Sequence, residues 1–161
     1  MSTLRVDSIR GQTADGTNRY VVQVISVENN TYKSTQSTSF VDSGLSATIT
    51  PSSANNKILI LTQNSVKAIT TTSNGSGTLS QIFRGSTAIG QQVLTRIREG
   101  VGSSAFTQNV QGGGHLQFLD SPNTTSATTY SVKFKVQNAV VTGVYNDSPS
   151  GSVITLMEIA Q

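Results

Sequence analysis

Few side chains in this chain could do acid–base or metal chemistry, and they are widely spaced. His115 is the only histidine, cysteine is absent, and Asp and Glu together number 8 in 161 residues. A metal site needs several ligands at suitable spacing, and Gly112–Gly114, directly before His115, supply none. These glycines do not follow a strand and open a helix as a phosphate-binding loop does, so a loop or bulge is predicted there. We interpret His115 as a structural or solvent-facing histidine at the start of a strand and predict no metal site.

Hydrolytic chemistry also has little support in the sequence. A Ser–His–Asp arrangement could use His115 and Asp120, but no Gly-x-Ser-x-Gly motif is present to expose a serine nucleophile. Hydrolysis by two carboxylates needs a pair of acids flanking a bond, whereas Asp15, Asp42, Asp120 and Asp147 fall in predicted turns. We therefore predict a protein that is not an enzyme and holds no cofactor. An enzyme such as a depolymerase is kept as a third hypothesis about function.

The composition indicates an ordered, polar protein with one domain. Charged residues make up 12% of the chain and hydrophobic residues 35%, and the net charge is +3. The basic residues are scattered, and we interpret Lys133 and Lys135, which share a predicted strand face, as a solvated face rather than a nucleic-acid site. The chain begins without a signal-peptide pattern, and no apolar run approaches the ~20 residues of a membrane span. We predict neither nucleic-acid binding nor membrane insertion.

The elements that must position these residues are strands. The segment Thr38–Leu61 is predicted to form three short strands separated by two turn clusters, Asp42–Gly44 and Pro51–Asn56. Between the clusters, apolar and polar residues alternate as they do in a half-buried strand. After the second cluster, Ile58–Leu61 is a continuous apolar run, typical of a strand buried on both faces.

The rest of the chain continues this pattern and predicts nine or ten strands, the number and spacing of a β-sandwich. A hairpin is predicted across Gly85, and residues 91–99 fit a helix or a strand, of which we favour the strand. Flexible or glycine-rich loops are predicted at 70–77 and 100–114, the latter with a weak strand near Phe106. The remaining predicted strands are Tyr20–Val27, Lys57–Val66, Leu116–Leu119, Thr129–Val136, Ala139–Tyr145 and Ser152–Ile159.

Several motifs resemble those of small virion proteins of tailed phages, especially phages that infect cyanobacteria and marine bacteria. The similar stretches are STLRVDSI at the start, SFVDSGL, ITPSS followed by NKILI, FRGST, and ITLMEI near the end, at residues 2–9, 39–45, 49–53, 56–60, 83–87 and 154–159. These motifs are strand-and-turn patterns, and the resemblance that they mark extends over most of the chain.

The resemblance implies an all-β protein whose jelly-roll-like antiparallel β-sandwich head spans residues 20–161 and follows an attachment and oligomerisation leader at residues 1–19. We expect Leu4, Val6 and Ile9 of the leader to make apolar contacts, either with neighbouring leaders or with the head. The expected partners are two further copies in a homotrimer, other virion proteins reached through the leader, and a host-surface glycan or protein. The expected location is the virion, assembled in the host bacterial cytoplasm. A tail-fibre-type head for host attachment is the first hypothesis, and a capsid decoration protein is the alternative.

Overall fold

The computed structural model describes residues 19–70, 76–97, 107–147 and 150–161. The predicted leader contacts Leu4, Val6 and Ile9 lie outside these ranges, as do the weak strand near Phe106 and most of the loop at 70–77. The described residues form ten strands: β1 (Val21–Asn29), β2 (Lys33–Thr35), β3 (Val41–Ile49), β4 (Lys57–Thr70), β5 (Gly77–Arg84), β6 (Thr87–Arg96), β7 (Gln108–Asp120), β8 (Thr128–Val136), β9 (Val141–Tyr145) and β10 (Ser152–Ile159).

The strands form two sheets in which every pairing is antiparallel. Sheet A has the strand order β1-β10-β4-β7. Beyond the end of β10, β9 pairs with the same side of β4, and β2 pairs with β9. Sheet B has the order β3-β8-β5-β6. Without the short β2 and β9, the two orders are those of a jelly roll, in which two Greek keys fold over one another. The predicted all-β, jelly-roll-like antiparallel sandwich is therefore confirmed.

The core lies between the sheets and is built largely by alternation along the strands, although β5 is buried on both faces. On β8, Tyr130, Val132, Phe134 and Val136 are buried, as their spacing predicts. Tyr130, Val132 and Phe134 belong to one cluster with inward-facing apolar residues of β3, β4 and β10, among them Leu45, Ile60 and Leu156. Val136 belongs to a smaller cluster with Ala68, Ile97 and Val141. Each fully buried side chain of this size contributes about 1.5–3 kcal/mol to stability. No helix in the described ranges is long and apolar enough to cross a membrane.

The prediction of three strands in Thr38–Leu61 is wrong, because the first turn cluster is a bulge inside β3. Pairing with β8 shifts register between Asp42 and Ser46, and Gly44 adopts φ +83°. The Asp42 carboxylate accepts the Gly44 N–H at 2.9 Å, and the Ser43 hydroxyl donates to the Val132 carbonyl across the ladder. Local side-chain hydrogen bonds of this kind serve a bulge as well as a turn.

The loop predicted at Gly112–Gly114 is also wrong, since these glycines lie in the middle of β7 and pair with residues 64–66 of β4. Gly112 and Gly114 face the inside of the sandwich, where they lie against side chains of β6. A Cβ at Gly114 would lie 3.3 Å from Val93 Cγ1, and one at Gly112 would lie 3.6 Å from Thr95 Cγ2. The missing side chains let β6 and β7 close one side of the sandwich. β6 extends to Arg96, which confirms the strand reading of the ambiguous segment for its described part.

The interpretation of Lys133 and Lys135 as a solvated face needs correction. Both side chains are half-buried and lie over aromatic rings: Lys133 Nζ is 4.8 Å from the centroid of Phe83, and Lys135 Nζ is 4.7 Å from that of Phe40. The two rings themselves meet edge to face at 5.3 Å. The lysines therefore cover an aromatic pair on sheet B through cation–π contacts.

Candidate functional site

His115 and Asp120, the residues that a hydrolytic arrangement would use, point to opposite sides of sheet A. Both lie on β7, an odd number of positions apart, so their side chains leave the strand on different faces. His115 is exposed on the outer face, and Asp120 is buried between the sheets. The predicted solvent exposure of His115 is confirmed, although β7 begins well before it. The two side chains do not form a catalytic pair.

Asp120 is a structural residue and does not lie in a turn as predicted. It is the last residue of β7, and its carboxylate accepts a hydrogen bond from the Tyr130 hydroxyl at 2.7 Å. Arg84 Nη1 donates to both carboxylate oxygens, at 3.0 and 2.9 Å. Burial raises the pKa of Tyr130, and the Asp120 carboxylate raises it further. The cluster ties β7 of sheet A to β5 and β8 of sheet B.

A second buried carboxylate, that of Glu158, lies at the same level of sheet A as Asp120, because both residues pair with Ile58 of β4 from opposite sides. Its Oε1 accepts hydrogen bonds from the Ser52 N–H, the Ser52 hydroxyl and Asn56 Nδ2 at 2.6–2.7 Å, and its Oε2 accepts one from Gln23 Nε2 at 2.6 Å. Burial raises the pKa of Glu158, but these hydrogen bonds together outweigh burial and lower it to about 2. Two motifs that carry the phage resemblance, ITPSS–NKILI and ITLMEI, thus meet in one hydrogen-bonded cluster.

A gap in sheet A produces the most unusual polar arrangement in the described chain. β10 pairs with β4 up to Gln63, and β9 pairs with β4 from Val66 onward, so residues 64–65 have no strand beside them on that side. Side chains and a turn fill the gap: the Ser65 N–H donates to Ser152 Oγ at 2.9 Å, and the Asn146 N–H donates to the Ser65 carbonyl at 3.0 Å. Ser152 Oγ donates in turn to Asn146 Oδ1 at 2.6 Å.

The residues that fill and flank this gap are held rigidly. Asn146 is 1% exposed and adopts φ +56°, a left-handed conformation that asparagine tolerates better than most residues. On the other side of β4, buried Asn64 donates from Nδ2 to the Gly114 carbonyl at 2.9 Å and accepts the Tyr145 hydroxyl. Burial raises the pKa of Tyr145 to about 12. The gap is therefore a buried, hydrogen-bonded polar seam.

Above the seam, the outer face of sheet A carries two adjoining depressions of about 450 and 230 Å³ that share Gln63 and Gly151. We call them together the polar groove. The amide and hydroxyl side chains along it include Asn30, Gln111 and Ser150, and Glu28 lies at one end. Gly113 contributes to the floor of the smaller depression. Sequence analysis missed this groove because its residues come from four separate segments.

The same outer face also carries a row of apolar side chains. This row crosses β4 at Leu59, nearer the start of the strand than Gln63 of the polar groove. Val24, Met157, Leu59 and Leu119 are directly paired across β1, β10, β4 and β7. Val24 is 56% exposed and Leu119 is 49% exposed, so the row is open at both edges of the sheet. Directly paired apolar residues on the solvent side of four neighbouring strands make a continuous patch that is exposed at both ends, with Met157 and Leu59 half-buried between them. Apolar patches on a protein surface are a feature of interaction sites.

Within the described part of the chain, no three His, Asp or Glu side chains lie close enough together to hold a metal ion. The buried carboxylates of Asp120 and Glu158 each accept hydrogen bonds from neighbouring side chains. The chemistry that the described surface offers is therefore hydrogen bonding in the polar groove and apolar contact along the neighbouring row.

The fold and surface define a jelly-roll domain whose sheet A is open to solvent on its outer face. No protein-family model matches the sequence, and no curated protein matches it. Among solved structures, the chain is similar to the crystal structure of the infectious bursal disease virus VP2 subviral particle, with 10% sequence identity and a TM-score of 0.33. The match covers 85% of this chain and 39% of that chain. The jelly-roll fold is defined by the order of the strands in the two sheets of this protein.

Proposed function

We propose that this protein is a non-enzymatic structural component of a tailed-phage virion, in which the jelly-roll head forms a short trimeric tail-fibre-type unit that attaches to the host surface. The sequence motifs that resemble those of small phage virion proteins support the proposal, since several of them form the bulge in β3 and the hydrogen bonds around Glu158. Jelly rolls recur in viral capsid and lectin domains. A fold alone does not fix a role, so the argument depends on the surface.

The observation that carries the proposal is the apolar row on the outer face of sheet A. Four paired apolar residues, with Val24 and Leu119 about half exposed, are costly to leave in water. Contact with a neighbouring subunit would bury them. The three apolar leader residues Leu4, Val6 and Ile9 supply a second surface of the same character in the proposed trimer.

The trimer is tested by multi-angle light scattering of the purified chain at micromolar concentration. Wild-type protein is expected to have the mass of three chains. Val24→Lys and Leu119→Lys should shift the mass toward the monomer without loss of folding, because both side chains are exposed. Thr48→Lys, at an exposed position on β3 of the other sheet, is the matched control and should remain trimeric. A monomeric wild type would remove the trimer from the proposal.

The position in the particle is tested by immunogold labelling or a density map of intact virions. We expect density for the head at the tail, joined to other virion proteins through residues 1–19, after assembly in the host cytoplasm. The second candidate, a decoration protein on the outer capsid, is favoured by the low charge of 12% and by an outer sheet face suited to lying on a lattice. Label confined to the capsid would replace the first proposal with the second.

A further inference from the structure

We propose that the polar groove is a binding site for an uncharged oligosaccharide. The inference rests on the attachment role proposed above, for which it names a site and a ligand class. It is argued from the hydrogen-bonding groups of the groove, from the charge around it and from the shape of its floor.

The hydrogen-bonding groups of the groove match those of a sugar. The side chains of Asn30 and Gln63 each offer an amide donor and an amide acceptor. Gln111 Nε2 already donates to Ser150 Oγ at 3.3 Å, so this pair offers the Gln111 amide oxygen as an acceptor and the Ser150 hydroxyl as a donor. Asn30 and Gln63 are exposed, and their side-chain amides make no hydrogen bond to other described residues. Sugar hydroxyl groups are likewise donors and acceptors, so neighbouring hydroxyls can bond to such amides in pairs.

The charge around the groove disfavours anionic ligands. None of the described residues that line it is a lysine or an arginine, and Glu28 places a carboxylate at one end. Lys67, further along the outer face of β4, is already paired with Asp147 at 2.7 Å. A phosphate, a uronate or a sialic acid would therefore meet no unpaired cation at the groove and would approach a negative charge.

The floor of the groove is shaped by a glycine. Gly113 lies within β7, and a Cβ built there would meet no atom within 4 Å. Nothing in the fold excludes a side chain at this position, and a β-branched residue would suit a strand better. The glycine instead leaves the floor flat, so that a ligand can approach the backbone of β7 closely. Beneath it, the hydrogen bonds of Asn146 and Ser152 fix the neighbouring groups in place.

An extended peptide is the less suitable ligand. Peptides commonly bind sheets by adding a strand to an open edge, where main-chain groups are unpaired. At the groove, β4 is paired with β7 on one side, and the gap on the other side is filled by Ser152 and Asn146. Recognition over β4 must therefore come from side chains on the sheet face, and the open edge nearest the groove is the far edge of β7, which has no strand partner among the described strands. A further depression beside the groove is lined by Leu61 and His115, which offer apolar and ring surfaces to the C–H face of a sugar.

The test is binding of the purified full chain to an array of immobilised bacterial polysaccharides that includes uncharged and anionic members. We expect signal on at least one uncharged polysaccharide, followed by titration of that polysaccharide in solution. Gly113→Val should fill the floor and weaken binding by roughly tenfold or more, and Gln63→Ala should also weaken it. Ser46→Val, which places the same side chain at an exposed position on β3, is the matched control and should bind as the wild type does.

Three results would overturn the inference: no signal on any uncharged polysaccharide, binding that Gly113→Val leaves unchanged, or binding confined to anionic members. Gly113→Val should keep or raise the urea midpoint, which separates loss of the site from loss of the fold. A protein that binds through Gly113 but is absent from virions would refute the attachment role alone. A protein present on the tail whose adsorption survives Gly113→Val would refute the site alone.

Discussion

Replacing Glu158 with glutamine should remove most of the acid sensitivity of this fold. The pKa of Glu158 lies at about 2 in the folded protein against 4.5 as its ordinary value. Each pKa unit corresponds to about 1.36 kcal/mol, so the ionised carboxylate contributes up to about 3 kcal/mol to the free energy of unfolding. Because the folded-state pKa is the lower one, this contribution is fully present above pH 4.5 and is lost as the pH falls toward 2.

Glu158→Gln also has a cost at neutral pH. The remaining amide oxygen can still accept the hydrogen bonds of Ser52 and Asn56, but the new amide nitrogen faces Gln23 Nε2, which is itself a donor. We expect a loss of about 2–4 kcal/mol in the free energy of unfolding at neutral pH, because charge-assisted hydrogen bonds are replaced and two donors are opposed.

The assay is urea denaturation followed by circular dichroism at neutral pH and at several values between pH 4.5 and 2, at fixed ionic strength. The difference between wild type and Glu158→Gln should narrow as the pH falls through this range. Glu28→Gln, which removes an exposed carboxylate from β1, should leave the neutral-pH stability within about 0.5 kcal/mol of wild type. If the wild type and Glu158→Gln lose stability in parallel between pH 4.5 and 2, the hydrogen-bonded carboxylate is not the source of acid sensitivity.

Three further substitutions test the fold. Tyr130→Phe removes a donor to the buried Asp120 carboxylate and should lower the free energy of unfolding by about 1–3 kcal/mol in urea titrations; an unchanged midpoint would contradict the cluster. Gly44→Ala should cost more than Gly85→Ala, because both have positive φ but only a Cβ at Gly44 meets a neighbour, Asn29 Nδ2 at 2.9 Å; equal thermal midpoints would refute this. Asn146→Ala should cost about 2–4 kcal/mol, measured by chemical denaturation, since it removes the acceptor of the buried Ser152 hydroxyl and places alanine at a φ of +56°.

Local pattern was sufficient for the elements whose neighbours are set by alternation alone. Tyr130 to Val136 alternates cleanly and is buried as expected, and the hairpin across Gly85 forms where glycine permits a φ of +57°. Gly112–Gly114 was misread because three glycines in a row suggest a loop unless the crossing of β6 is known. Asp42–Gly44 was misread because the same residues that begin a turn also stabilise a bulge within a continuous strand.

The candidate site was beyond local pattern for a stronger reason. Its gap exists because β9 and β10 lie end to end along the same side of β4, and nothing in the sequence of any one strand records that arrangement. Asp120 was assigned to a turn for a related reason, since its partner Arg84 belongs to the other sheet. Periodicity shows which face of a strand is buried, but it does not show which distant strand lies beside it.

The hydrogen bond between Gln23 and Glu158 joins residues that are 135 positions apart in the chain. It links β1 to β10, which is the only strand that pairs with β1 among the described strands. At the usual rate of protein synthesis, about 5–20 residues per second, β1 waits roughly 7 to 27 s before β10 has been made. During that time β1 has no strand to pair with among the described strands. Ser52 and Asn56 donate to the same carboxylate, so the synthesis of β10 completes this whole cluster in one step. A nascent chain that stops short of Glu158 lacks the acceptor of this cluster and would remain a substrate for chaperones and proteases.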